Sequence, residues 1–191
     1  MHLRRNGLCG VLGLCAGLVV SEPAFADGPW SITAYGGPSS TKFVTQILSG
    51  NFDVNGGMVG LAVDRKLINL GSGISFGAEA QLTQFFGKYT YGTGALGVGF
   101  RFDRFPWSRH LPTTMAIFSG PSYAPDAPLI LDPQPHQDPK FLNFVGIEIA
   151  FAVSDKWDAG LRVYHRSGAW GTYSNTADVG SMIGFAIRRR F

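Results

Sequence analysis

Cysteine is nearly missing from this 191-residue chain, and the two that occur, Cys9 and Cys15, lie close to its N-terminus. Charge is also scarce, at 15% of residues, while glycine (26) and phenylalanine (15) are abundant. The surface of a soluble domain usually carries about 25–35% charged residues. Residues 27–191 therefore offer no disulfide, thiolate metal site or cysteine nucleophile, and too little charge for an ordinary water-exposed surface.

Long hydrophobic runs are scarce as well, and the one near the N-terminus is short. It extends from Leu8 to Val20, follows two arginines, and precedes the small-residue site Ala24-Phe25-Ala26. This order predicts a secretory signal peptide over residues 1–26 and a mature chain that begins at Asp27. A retained transmembrane helix is the weaker alternative, because the run is too short to cross a bilayer.

The balance of charge argues against a nucleic-acid partner. Residues 27–191 contain 14 Lys and Arg against 12 Asp and Glu, a net charge of about +2, which is too small to favour a phosphate backbone. No glycine-rich phosphate loop or metal-ligand cluster occurs in the sequence, so no cofactor and no metal is expected. The length and even composition of residues 27–191 predict one domain.

Apolar residues recur with a period of two in segment after segment, which predicts about eight β-strands. Residues 27–191 contain no run of 18 apolar residues, so we expect any membrane span to consist of strands. The fifth predicted strand, near Thr113 to Gly120, is the weakest. The apolar residues of the other seven are Trp30, Ile32 and Ala34; Val59, Leu61 and Val63; Ile74, Phe76, Ala78, Ala80 and Leu82; Leu96, Val98, Phe100 and Phe102; Val145, Ile147, Ile149 and Phe151; Ala159, Leu161 and Val163; and Val179, Ile183, Phe185, Ile187 and Phe191.

The opposite faces of these strands carry small residues and a few charges of both signs, which suits the narrow interior of an eight-stranded barrel. We expect Glu79, Glu148, Arg101 and Arg162 to neutralise one another there. The apolar faces would then point outward, which only lipid tolerates. The sequence thus predicts an all-β, eight-stranded antiparallel transmembrane β-barrel over residues 27–191. A lipocalin-like soluble barrel would reverse the faces and need a more charged exterior.

The connections fit a barrel in the outer membrane of a Gram-negative cell, which has short periplasmic turns and longer external loops. Three consecutive arginines, Arg188 to Arg190, are expected at the periplasmic end as interface anchors. The predicted external loops are near residues 38–55, 85–92, 122–139 and 168–177, and the predicted periplasmic turns are near 66–73, 103–112 and 154–157.

Two polar residues continue the lipid-facing side of the seventh predicted strand. His165 and Ser167 are two positions apart, so they share a face at a separation of roughly 6.5–7 Å along the chain. A neutral imidazole beside a serine hydroxyl is the minimum pair for acyl transfer, because the imidazole takes the hydroxyl proton during attack. The spacing alone also fits an ordinary polar strand end. An outward-running strand would place the pair among the acyl chains of lipopolysaccharide.

The stretch Val163-Tyr164-His165-Arg166-Ser167-Gly168-Ala169, followed by a short loop and a last strand, resembles the PagL-type lipid A 3-O-deacylases. These are small eight-stranded outer-membrane barrels with a His-x-Ser pair on the penultimate strand. The resemblance implies a serine-dependent esterase that removes an acyl chain from lipid A. Ser167 would be the nucleophile and His165 the base. Apart from the resemblance, Arg166 at the predicted outer rim is a candidate contact to lipid A phosphates, with an ordinary rim charge as the alternative.

The family also has an acidic residue about a dozen positions after the serine, which orients the histidine. Asp178 is the candidate here, although alternation from the following strand assigns it to the lumen, and a capping carboxylate is the alternative; Asp158 and Glu148 are the comparison carboxylates. The family motif has Asn directly after the serine and Gly two residues later. At these positions this chain has Gly168 and Trp170, so the oxyanion hole would come from the backbone N–H groups of Gly168, Ala169 or Trp170.

Two other functions stay open at this point. The first is a non-catalytic outer-membrane barrel, structural or adhesive, in which the His-x-Ser pair is incidental. The second is a soluble periplasmic lipid binder, which requires reversed faces. The sequence also leaves open whether the barrel forms a homodimer.

Overall fold

A computed structural model describes residues 29–40, 42, 45–46, 49–51, 53–127, 140–174 and 180–191. Eight strands close into a barrel in which each strand pairs antiparallel with its chain neighbours and the first pairs with the last. The predicted fold class is therefore confirmed. Within the described ranges, no helix is long and apolar enough to cross a bilayer. The strands are β1 (Trp30–Ser40), β2 (Gly56–Gly71), β3 (Ile74–Gly87), β4 (Tyr91–Phe102), β5 (Thr113–Tyr123), β6 (Phe141–Ala152), β7 (Trp157–Ser167) and β8 (Gly180–Arg190).

The two ends of the barrel differ. At one end, called the terminal end here, β1 begins, β8 ends, and three turns join β2 to β3, β4 to β5 and β6 to β7. The opposite end, called the loop end, carries the other four connections. The signal peptide predicted over residues 1–26 lies outside the described residues and stays a prediction.

Alternation along the strands separates an apolar outer wall from a polar interior, as the sequence predicts. Leu82, Leu96 and Phe185 are among the most exposed apolar side chains on the outside. The interior holds serine, threonine and charged residues together with aromatic rings. The polar groups are buried inside the cylinder and the apolar side chains face the surroundings, which is the reverse of a water-soluble barrel.

Ion pairs fill the part of the interior nearer the terminal end. Arg162 Nη1 lies 3.1 Å from Glu148 Oε2, and the same guanidinium pairs with Glu79. Arg188 Nη1 lies 3.1 Å from Glu148 Oε1 and its Nη2 2.7 Å from Asp158. Two expectations are corrected here. Arg101 pairs with Asp64 and not with a glutamate, and Arg188 is an interior residue and not an interface anchor, because its position in β8 alternates inward.

Aromatic rings fill the interior nearer the loop end. Phe85 and Tyr91 stack with ring centroids 4.5 Å apart, and Tyr164 lies 6.0 Å from Phe85. Glycine makes room for such rings. A Cβ on Gly60 would lie 2.3 Å from Cζ of Tyr35, so a larger residue there would force this buried ring to move.

The hairpin between β2 and β3 is longer than the sequence predicts. Residues 66–73 were expected to be a turn, whereas β2 continues to Gly71 and only Ser72 and Gly73 lie between the strands. Gly71, Ser72 and Gly73 all have positive φ, and Asn69 Oδ1 accepts the N–H of Gly71 at 3.0 Å. Two register shifts in this segment break the alternation that sequence reasoning relied on.

The other connections agree with the predictions in part. The turn over residues 103–112 matches the gap between β4 and β5, and β6 and β7 are joined by residues 153–156. The predicted external loops over 38–55 and 85–92 are shorter than expected, because β1 continues to Ser40 and β3 to Gly87. Most of the proline-rich segment, residues 128–139, lies outside the described residues.

Candidate functional site

A band of polar side chains crosses the outer wall near the loop end. The band, called the polar seam here, lies on five adjacent strands that otherwise present apolar residues outward. All residues of the seam occupy outward-facing positions of their strands. The seam therefore forms only when strand pairing places the five strands side by side. Its members are Ser40, Ser181, His165, Ser167, Asn143 and Ser119.

The strand register brings the seam together. His165 of β7 lies directly opposite Ser181 of β8, which in turn lies opposite Ser40 of β1. On the other side of β7, Ser167 lies opposite Asn143 of β6. Directly opposed residues have Cβ atoms about 4.5–5.5 Å apart, close enough for their side chains to interact.

The imidazole of His165 is held by Ser181. Nδ1 of His165 lies 2.8 Å from Oγ of Ser181, and that hydroxyl donates to the backbone carbonyl of Lys42 at 2.9 Å. A serine hydroxyl has a single proton, and a carbonyl oxygen can only accept. Nδ1 of His165 must therefore carry a proton and donate it to Ser181. In the neutral imidazole this leaves the lone pair on Nε2.

Ser167 shares the outer face with His165 but is not hydrogen-bonded to it. Its side chain is partly exposed, and within the described residues its hydroxyl forms no hydrogen bond. The two residues lie two positions apart on β7, a separation of about 6.5–7 Å along the strand. The structure thus places both members of the predicted pair on the same wall, with the imidazole engaged by another serine.

The segment after β7 forms a tight left-handed turn. Ala169, Trp170 and Gly171 have φ values of 49°, 53° and 87°, a conformation that costs energy for residues other than glycine. Gly168 O accepts from Tyr173 N at 3.1 Å, and Ala169 O accepts from Thr172 N at 3.0 Å.

This turn presents donors next to Ser167. Within the described part of the chain, the N–H groups of Gly168, Ala169 and Trp170 donate no hydrogen bond. Beyond them the chain returns along the outer wall, where the Tyr173 ring lies 5.6 Å from that of Phe141. The Trp170 side chain is fully exposed.

Asn143 is a second source of a donor beside Ser167. Its Oδ1 accepts the Ser119 hydroxyl at 3.1 Å, which fixes the orientation of the amide group. Its Nδ2 forms no hydrogen bond within the described residues. A side-chain amide N–H is therefore available at the position directly across from Ser167.

Arg166 is not where the sequence reasoning expected it. Its side chain is 0% exposed and lies inside the barrel, where Nε donates to Ser122 Oγ at 3.0 Å and one terminal nitrogen to Lys140 O at 3.3 Å. The expected contact with lipid phosphates outside the barrel is therefore wrong. The physical reason is alternation, because a residue between two outward side chains points inward.

The predicted acid, Asp178, lies outside the described residues. Both comparison carboxylates are engaged inside the barrel, Asp158 with Arg188 and Glu148 with Arg162 and Arg188. Neither faces the outer wall that carries His165.

Ser181 and Asn143 are the site residues that sequence reasoning missed. Each is distant in sequence from the His-x-Ser pair and is brought next to it by strand register. A polar residue at an outward position near the loop end of each neighbouring strand was the available signal. Pairing β6 and β8 with β7 in register would have exposed it.

Comparison with known proteins supports the fold. No family model and no curated sequence matches the chain. Among solved structures, the outer membrane enzyme PagL is similar with a TM-score of 0.62 and 11% identity over 84% of this chain and 99% of that chain. Neisserial surface protein A is similar with a TM-score of 0.50 and 10% identity over 85% of this chain and 97% of that chain. The outer membrane protein Ail of Yersinia pestis has a TM-score of 0.49, with 14% identity over 86% of this chain and 100% of that one. The similarities to PagL and to Neisserial surface protein A show that this eight-stranded barrel has the fold of small outer-membrane barrels.

Proposed function

We propose that this chain is an outer-membrane esterase that removes an ester-linked acyl chain from lipid A. The single observation that carries the proposal is His165 on the lipid-facing wall, with Nδ1–H donated to Ser181 and Ser167 two positions away. A base in the correct tautomer beside a partly exposed hydroxyl on the outside of a barrel is suited to a substrate that is itself membrane lipid.

The dimensions of the barrel fit the proposed location. β1 has 11 residues, or about 34 Å of extended chain, which at a tilt of about 45° spans about 24 Å, close to the apolar band of an outer-membrane barrel. With the terminal end toward the periplasm, the polar seam lies at the outer-leaflet boundary. Lipid A occupies that leaflet.

Two serines adjoin His165, and Ser167 is the better nucleophile. Ser181 is 0% exposed, and its proton is donated to Lys42 O. An ester carbonyl cannot approach a hydroxyl that is covered and already donating. Ser167 is partly exposed, and its hydroxyl is not engaged by any described residue. We therefore assign attack to Ser167 and positioning of His165 to Ser181.

The proposed chemistry runs in two halves. Oγ of Ser167 attacks the ester carbonyl carbon, and its proton passes to Nε2 of His165. The alcohol of the cleaved ester then leaves with that proton. A water molecule then gives a proton to the same nitrogen and attacks the acyl-serine, which releases the fatty acid and restores the hydroxyl. The transfer requires His165 and Ser167 to approach each other, and catalytic hydrogen bonds often tighten only when substrate binds.

The negative oxygen of the tetrahedral intermediate needs donors aimed at it. Those available on the wall are the backbone N–H groups of Gly168, Ala169 and Trp170 and the Nδ2 amide of Asn143. Asp178 stays the candidate carboxylate of the proposal, where its negative charge would stabilise the imidazolium that forms when Nε2 takes the serine proton. The PagL fold similarity agrees with the proposal, since PagL is described as an outer membrane enzyme.

A non-catalytic barrel is the alternative, and one observation favours it. His165 and Ser167 form no hydrogen bond with each other. In that case the polar seam would serve only to end the apolar wall at the membrane boundary.

The deciding experiment uses the full chain expressed in Gram-negative outer membranes, with lipid A weighed by mass spectrometry. We expect the native protein to remove one acyl chain and Ser167→Ala to leave lipid A intact. Ser154→Ala, which changes an exposed serine in the turn between β6 and β7 at the opposite end of the barrel, is the control and is expected to retain hydrolysis. Identical lipid A spectra with native protein and Ser167→Ala would establish the non-catalytic alternative.

A further inference from the structure

A compact group of arginines and aromatic rings lies on the outer wall at the terminal end, far from the polar seam. This group, called the basic aromatic patch here, spans β2, β1, β8 and β7. Strand pairing sets Arg65 opposite Trp30 and Trp157 opposite Arg189. The members of the patch are Trp30, Arg65, Trp157, Arg189 and Phe191.

Both guanidinium groups are held over rings. Cζ of Arg65 lies 5.1 Å from the ring centroid of Trp30. Cζ of Arg189 lies 5.7 Å from that of Trp157 and 5.0 Å from that of Phe191. Phe191 N donates to Trp30 O at 2.9 Å, so the two halves of the patch adjoin. Cation–π contact fixes the two guanidinium groups on one stretch of wall.

No described residue forms an ion pair with a guanidinium group of the patch. Within the described residues, neither Arg65 nor Arg189 forms an ion pair, whereas the interior arginines Arg101, Arg162 and Arg188 each have a carboxylate partner. Nε of Arg189 is also buried and without a hydrogen-bond partner. Two fixed guanidinium groups with unused donors are suited to a phosphate, which accepts from arginine in a planar, bidentate manner.

The position of the patch identifies the source of that phosphate. Trp30 begins β1 and Ser40 ends it, so the patch and the polar seam lie at opposite boundaries of the apolar wall, about 24 Å apart along the membrane normal. With the seam at the outer leaflet, the patch is level with the head groups of the periplasmic leaflet, which consists of phospholipid. Tryptophan at such a boundary places its ring among head groups.

We propose that the basic aromatic patch is a binding site for one anionic phospholipid of the periplasmic leaflet. The lipid phosphate would lie between Arg65 and Arg189, and the first segments of its acyl chains would follow the rings of Trp30 and Phe191 toward the apolar wall. The site would hold phosphatidylglycerol in preference to a lipid of no net charge. It does not depend on hydrolysis at Ser167.

The test uses the full chain folded into vesicles of phosphatidylcholine mixed with phosphatidylglycerol, with bromine on the acyl chains of one lipid at a time. Bromine quenches the fluorescence of nearby tryptophans, so the two series give the relative occupancy of the wall by each lipid. A background of Trp107→Phe with Trp170→Phe leaves Trp30 and Trp157 as the reporters. We expect phosphatidylglycerol to be favoured about fivefold or more, since each arginine near the membrane surface contributes about that factor.

The variants separate a site from diffuse attraction. Arg65→Gln with Arg189→Gln is expected to bring the preference to about one, and either single change to reduce it. Arg104→Gln with Arg109→Gln removes the same charge from the neighbouring turn at the terminal end and is expected to leave the preference intact. Heat-modifiable migration in gels verifies folding of each variant. Equal quenching by both lipids in the native barrel, or an equal loss in the turn variant, would overturn the site.

Discussion

His165 donates its Nδ1–H to Ser181 across 2.8 Å, from one strand of the barrel wall to the next. The Ser181 hydroxyl donates a hydrogen bond to Lys42 O, so the direction of both hydrogen bonds is fixed. A hydroxyl that accepts from Nδ1 orients the ring as a carboxylate would, but brings no negative charge. The base of the proposed reaction is therefore positioned by a neutral group on β8.

Ser181→Ala is expected to lower kcat by about 10²-fold with little change in KM, because a misplaced base costs turnover and not substrate binding. Ser181→Thr keeps the hydroxyl and is expected to restore most of the activity. The measurement is steady-state release of fatty acid from lipid A in detergent micelles.

A different result is expected if Ser181 has only a structural role. In that case the Ala and Thr variants would differ from the native protein in urea resistance and yet share its kcat once folded. Unchanged turnover in folded Ser181→Ala would remove this serine from the mechanism, while leaving Ser167 and His165 to be judged by their own variants.

Asn143→Asp replaces an amide by a group of the same shape that lacks the N–H donor. Ser119 can still donate to the remaining oxygen, so the wall is expected to keep its packing. If Nδ2 stabilises the oxyanion, kcat falls by about 10²-fold or more, the usual cost of losing one such donor. Fatty-acid release checks this. A folded Asn143→Asp barrel with native kcat would leave the backbone N–H groups of the turn as the donors.

Most of the fold is predictable from the sequence because lipid on one side and a narrow interior on the other impose strict alternation on each strand. Val145, Ile147 and Ile149 show that alternation unbroken. It fails between Lys66 and Gly71, where register shifts change the phase and a long hairpin takes the place of the predicted turn.

The site is only partly predictable, because the sequence shows neighbours along a strand and not across it. His165 and Ser167 are separated by one residue and were found. Ser181 and Asn143 are 16 and 22 positions from His165, and their approach depends on register. Arg166 was misplaced because the assignment to the outer rim disregarded its inward phase between His165 and Ser167.

Trp170 lies fully exposed on the turn beside Ser167, in a left-handed conformation that tryptophan rarely adopts. An exposed indole ring at the loop end of the barrel is suited to inserting among lipid head groups. Trp170→Ala is expected to raise KM for lipid A in vesicles several-fold and to leave hydrolysis of a short, water-soluble ester unchanged. Parallel kinetics on the two substrates check this, with Trp170→Tyr as the conservative control. An equal loss on both substrates would mean that the ring supports the turn itself.

Arg162 holds the interior together, since its guanidinium pairs with Glu79 and Glu148 and lies 4.6 Å from the ring centroid of Tyr35. Arg162→Met would leave the buried Glu79 without its guanidinium partner and would leave Glu148 with Arg188 alone. Breaking a buried pair in this way usually costs about 3–5 kcal/mol of unfolding free energy.

We expect the Arg162→Met barrel to lose its heat-modifiable folded form at lower urea concentration than the native protein, and Glu79→Gln in the same chain to recover part of the loss by removing one unpaired charge. Arg104→Met, on the exposed turn, is the control and is expected to unfold like the native barrel. If Arg162→Met matched that control, the interior pairs would contribute nothing net, and packing of the aromatic rings and the wall hydrogen bonds would account for the stability of the cylinder.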